Sequence, residues 1–154
     1  MCKKQIGLTL LELMLVLALS GLTCVLAVPC YQNYICRNRL RVATDQLIYG
    51  IEMAKHRALC EEGRVVFSSV DGGKWQGGQQ LVRERDRRVL AGLPALQPGV
   101  TVEWRGNLGQ TDDICFDGSG LPEGQWGSFW LHAKGYSGHV RLVMNGAGRL
   151  AIQH

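Results

Sequence analysis

Gly7-Leu8-Thr9-Leu10-Leu11-Glu12-Leu13 opens an apolar run that continues to Val28, and its reading decides the fold. Residues 8–28 are about 21 residues long, enough for a helix to cross a hydrocarbon layer of roughly 30 Å. One carboxylate, Glu12, lies near the start of that run. A charge there is costly to desolvate, so an ionisable residue inside such a segment is read first as a functional group that needs a partner.

Upstream of the run, Lys3 and Lys4 precede Gly7, which favours a cytoplasmic amino terminus. Downstream, Arg37, Arg39 and Arg41 begin about nine residues past the run and offset that bias only in part. No Ala-x-Ala cleavage signal follows the run, unlike an ordinary secretory signal. A single-pass membrane protein with its globular part facing outward is expected.

Lys-x-x-Gly, then Leu8, Thr9, two leucines and Glu12, with Pro29 just past the run, resembles the class III leader of type IV pilins and type II secretion pseudopilins. The resemblance implies that a prepilin peptidase cuts after Gly7 and that the new amino terminus at Leu8 is methylated. Leu8 stands where the family usually has Phe. It also implies a partner for Glu12, the positive amino terminus of a neighbouring subunit, since two opposite charges in a low-dielectric layer compensate each other's desolvation.

Past Pro29, which should kink the helix or end its first half, Leu40, Ala43, Leu47, Ile51, Ala54 and Ala58 recur at helical spacing and define one apolar face. Arg39, Arg41, Asp45, Glu52 and Lys55 take much of the opposite side. The helix should stop near Glu61-Glu62-Gly63, with Gly63 as the left-handed cap. Beyond it the period changes toward strands, expected at residues 65–68, 79–89, 100–105, 114–116, 128–133, 139–144 and 149–153. Residues 71–78, glycine-rich around Trp75, lack the Lys-Ser/Thr of a phosphate loop and read as turns. Asn145-Gly146-Ala147-Gly148 signals a terminal hairpin.

The organisation is thus a leader (1–7), a membrane half-helix (8–28), an amphipathic half-helix (29–62) and a β-rich globular domain (63–154). The fold class is α+β, a long amino-terminal helix packed on an antiparallel sheet. Its later part resembles minor pilins and minor pseudopilins of the GspH and FimT types. The resemblance implies a subunit that primes or caps assembly of a type IV pilus or type II secretion pseudopilus, with other pilin or pseudopilin subunits, the peptidase and the inner membrane as partners.

Charge and residue chemistry bound the alternatives. The 154-residue chain carries a formal charge of +4, and loss of Lys3 and Lys4 with the leader leaves 15 basic against 13 acidic residues. Such a weak excess is unlike a dedicated nucleic-acid binder. Arg83, Arg85 and Arg87 alternate with Glu84 and Asp86 and would share one face of a strand. DNA-capturing members of the FimT type carry a Gly-Arg-x-Arg element near the carboxyl terminus. Here Gly148-Arg149-Leu150-Ala151 lacks the second arginine, with Arg141 across the hairpin as a substitute. These five arginines are the candidate DNA-binding residues of an alternative role in DNA uptake. Asp112, Asp113 and Asp117 lack calcium-loop spacing and read as solvated turns. Cys60 and Cys115 fall in the outward domain, where a bridge between them would persist. No CxxC pair, HExxH, Gly-x-Ser-x-Gly or nucleophile-base arrangement occurs, so no enzyme, metal or cofactor is expected.

Overall fold

A computed structural model of the chain describes residues 10–108 and 113–153. Helix α1 spans Leu10–Glu61 with Pro29 inside it, so of the two outcomes expected at Pro29, a kink or an end of the first half, the helix does not end there. Proline costs one backbone hydrogen bond in a helix interior, and a helix this long retains its neighbours on either side. Contacts divide the chain after Ile35 into two compact units. In the first, every described side chain of residues 10–34 is exposed, and this stretch is long and apolar enough to cross a membrane.

The second unit, Cys36–His154, holds the rest of α1 and, among its described residues, eight strands. They are β1 (Val65–Ser69), β2 (Gln79–Arg83), β3 (Val89–Leu93), β4 (Val100–Gly106), β5 (Asp113–Phe116), β6 (Gly127–Ala133), β7 (His139–Met144) and β8 (Leu150–Gln153). They form two antiparallel sheets of four, ordered β3-β2-β1-β5 and β4-β6-β7-β8. The expected helix-on-antiparallel-sheet architecture is present, with its strands shared between two sheets.

The helical stripe forms as its spacing dictates. Leu40, Ala43, Leu47, Ile51, Ala54 and Ala58 are all buried in one core cluster with the inward residues of both sheets. Alternation in the strands supplies the other side, for example Val100, Val102 and Trp104 inward on β4 and Phe129 and Leu131 inward on β6. Gly50 lies where the helix backbone meets Phe67 and Leu93, too close for any side chain. The helix closes with the Gly63 amide donating to the Ala58 carbonyl at 3.3 Å. The left-handed residue at the cap is Glu62, φ 46°, rather than the expected Gly63.

The loop around Trp75 contributes more than turns. Its indole is buried, 5.2 Å from the ring of Phe67 on β1 and 5.0 Å from that of Phe129 on β6, and Phe129 in turn lies 4.5 Å from Trp104. A loop residue thereby joins the cores of the two sheets. Gln79, fully buried beneath it, donates to the Trp75 carbonyl and accepts from Gln46 on α1 at 3.1 Å, so the buried amide is satisfied on both sides.

Candidate functional site

Gly7 and Leu8, the expected processing residues, lie outside the described residues. Glu12 is in the first described turn of α1. The described leucines, valines and methionine of residues 10–28 are more than half exposed, a surface with the composition of a core and without cover among the described residues.

The arginine ladder expected on residues 79–89 does not form. The stretch is two strands joined by a turn, closed by the Arg83 amide donating to the Arg88 carbonyl at 2.9 Å, with Arg87 left-handed at φ 53°. Asp86 makes this turn, its carboxylate accepting from the Arg88 amide at 3.3 Å, so an alternation of charges that imitates a strand is a hairpin tip. Arg85 and Arg87 are exposed there. Arg83 instead pairs with Glu61 at the helix end, 2.6 Å, and with Asp86, 3.4 Å. Beside it Arg64 bridges Glu84 at 2.9 Å and Glu123. Partly exposed pairs of this kind contribute under about 1 kcal/mol each. Their geometry ties the helix end, the first hairpin and the loop after β5 together. Arg141 sits on β7 and Arg149 in the β7–β8 turn, both on the other sheet. The five arginines are thus divided between the first sheet's hairpin and the second sheet.

What the structure does assemble is a cluster on the outward face of the second sheet. Arg105 and Arg141 lie over the Trp130 ring, 5.3 and 5.0 Å from its centre, and His139 stacks on it at 5.2 Å and 26°. His132 follows 5.8 Å from His139. Arg141 donates to the Ser128 hydroxyl at 3.2 Å, and Arg105 pairs with Glu103 at 3.1 Å. Cation–π contacts at such exposure contribute about 0.5–1 kcal/mol each. Strand alternation already turned Trp130 outward beside the inward Phe129, and that was the sequence signal for this cluster. Its arginine partners depended on the register of β4, β6 and β7, which pattern alone does not set.

Cys60 and Cys115, the candidate pair, are both free thiols in the structure. Cys60 is on the exposed side of α1, its Sγ 3.6 Å from His56 Nδ1. Cys115 pairs in register with Val66, whereas the inward residues of the same strands are Phe67, Ile114 and Phe116, so its side chain leaves the sheet on the face away from the core. Burial pushes the Cys115 thiol up, with Glu84 adding to the effect and Arg64 opposing it. Asp117 is the hub of a turn, its Oδ1 accepting from the Ser119 hydroxyl, the Ser119 amide at 2.9 Å and the Leu121 amide at 3.0 Å. These bonds, the Ser119 hydroxyl first, hold its carboxyl below the usual carboxylate range. Asp112 lies outside the described residues. Among the described residues no three of His, Cys, Asp and Glu converge on a metal position.

No family model matches the chain. Two curated relatives, both fimbrial proteins of Pseudomonas aeruginosa, are 34% identical to it over 67 residues, 44% of this chain and 43% of each relative. The match thus spans less than half the length of those relatives. Crystal structures of the Pseudomonas aeruginosa (strain PAO1) type IV minor pilin FimU in two crystal forms superpose with TM-scores of 0.65 and 0.61 at 16% and 15% identity. They cover 77% and 75% of this chain and 90% and 93% of those chains. A long amino-terminal helix, antiparallel sheets and this superposition together show that the chain has the fold of those type IV minor pilin structures.

Proposed function

We propose that the chain is a minor subunit of a type IV pilus, held in the inner membrane by residues 8–28 before assembly and by helix packing in the filament afterwards. The observation that supports this most is the first unit of α1, an apolar helical surface exposed at every described side chain of residues 10–34 and continuous in sequence with a pilin-like domain. In a filament, neighbouring helices would cover that surface, and Glu12 would meet a neighbour's amino terminus freed by cleavage after Gly7 and methylated at Leu8. A subunit of this kind primes or caps assembly, in a pilus or in the related secretion pseudopilus.

The experiment compares wild type with Glu12→Ala in the bacterium that carries the chain. The variant is expected to be cleaved and membrane-bound yet to leave surface filaments reduced several-fold. Normal filament numbers with the processed variant would overturn the reading. The second reading is DNA capture through Arg83, Arg85 and Arg87 of the first sheet's hairpin with Arg141 and Arg149 of the second sheet. A salt-sensitive mobility shift lost in Arg141→Ala and Arg149→Ala would support it.

A further inference from the structure

Strand β8 is the outer strand of the second sheet, paired with β7 on one side only. Its sequence, Leu150-Ala151-Ile152-Gln153, carries none of the devices that keep an edge from pairing: no charge, no proline, no bulge. Edge strand β3 is likewise uncharged but its pairing with β2 is interrupted by a register shift at Leu81/Val82, and the other two edges are blocked. On the free side of β5, the Glu123 amide donates to the Cys115 carbonyl at 3.0 Å and Phe116 bridges Pro122. On β4 the outward positions hold Glu103 and Arg105.

Beside β8 runs a groove of about 930 Å³, lined by Leu40, Thr44, Val140 and Ile152 with Arg37, Arg41, Asp45 and the 136–139 turn around its mouth. Ile152 is 47% exposed into it. Arg37 is fixed by Tyr136, donating to its hydroxyl at 2.9 Å with the guanidinium 5.8 Å over the ring. Neither Arg37 nor Arg41 has a carboxylate within ion-pair distance among the described residues, so the mouth carries two uncompensated guanidinium groups against the one carboxylate of Asp45.

A row of open backbone donors and acceptors recognises one kind of partner above others, another extended backbone. We propose that the β8 edge and its groove receive an extended segment of a partner subunit, which pairs with β8 as a fifth strand of the sheet. Alternate side chains of that segment pack over Ile152 and Val140, and a carboxylate on it meets Arg41. Main-chain pairing supplies the contact; the groove and the arginine select an apolar and acidic sequence. That the partner is another filament subunit rests on the function proposed above.

The test places the photo-crosslinking residue p-benzoylphenylalanine at Gln153 in the full chain, in the bacterium that carries it. The expected result is one adduct whose crosslinked peptide is an extended, alternating segment of another pilin subunit bearing Asp or Glu. Ile152→Pro, which removes an edge donor, should lower that adduct at least tenfold; Arg41→Glu should lower it several-fold, and reversing the partner's carboxylate to Lys should restore it. Thermal unfolding checks that Ile152→Pro still folds, and Ile152→Lys provides the same block if it does not. No adduct, an adduct on a helix or on a second copy of this chain, or one indifferent to Ile152→Pro and Ile152→Lys would overturn the proposal. Filament loss in Glu12→Ala without a β8 adduct fails the edge alone. A β8 adduct to an unrelated polypeptide, with normal filaments in Glu12→Ala, fails the filament reading.

Discussion

At the scale of single residues, two positions have effects opposite to their helix propensities. In an open helix Gly→Ala stabilises by about 1 kcal/mol. At Gly50 the new Cβ would lie 2.7 Å from Leu93 Cδ1 and 2.8 Å from the Phe67 ring, and overpacking a tight core costs about 1–3 kcal/mol. Gly50→Ala is expected to lower stability by about 1 kcal/mol in chemical denaturation; a raised midpoint would show that Phe67 yields. Glu62 is the reverse case, a side chain held at φ 46° where glycine has no steric penalty. Glu62→Gly should raise the thermal midpoint, a gain of up to about 1 kcal/mol. The thiols differ as well. Cys60 is exposed, whereas Cys115 is half-buried with its thiol pushed up by burial, so iodoacetamide at pH 8 should modify Cys60 first. Equal rates by mass spectrometry would contradict that environment.

At the scale of elements, the turn that opens the loop from β5 toward β6 centres on one carboxylate, Asp117. Asp117 has its folded value lowered relative to the unfolded chain. The stabilisation it gives is therefore present above about pH 4, the ordinary carboxylate value, and is lost as pH falls through the lowered folded value. Amide exchange at Ser119 and Leu121 is expected to accelerate in that acid window and not at neutral pH, and Asp117→Asn should remove the pH dependence. Elements also differ in how much of them the sequence disclosed. The stripe from Leu40 to Ala58 was legible because a 3.6-residue period has one meaning over five turns. The hairpin at residues 84–87 was not, because its turn uses Asp and Arg without Gly or Pro and its charges alternate as a strand's would. Trp75 looked like loop furniture, since its burial is decided by Phe67 and Phe129, residues distant in sequence. For the candidate site, Glu12 stood out because a carboxylate among leucines is conspicuous. The Trp130 cluster and the open β8 edge depend on sheet register and order, which no local pattern encodes.

For the whole molecule, the order of the strands has a consequence for how the chain is made. Strand β5 lies in sequence between β4 and β6, which pair with each other, yet it pairs with β1 of the other sheet. Neither sheet can be finished from a contiguous stretch of chain: the first waits for β5, and the second cannot extend past β4 until β6 follows. Trp75 then locks the two together through Phe67 and Phe129. Folding should accordingly be a single event that begins late, with non-local closure of β1 on β5 slowing it. A nascent chain arrested after residue 125 should remain protease-sensitive throughout its β region, and one arrested with β8 and a spacer outside the ribosome should be resistant. A stable intermediate holding only the first sheet would disprove that interlock. The globular part thus passes from synthesis to a finished shape in one step, with little lifetime for half-built edges to pair with the wrong neighbour.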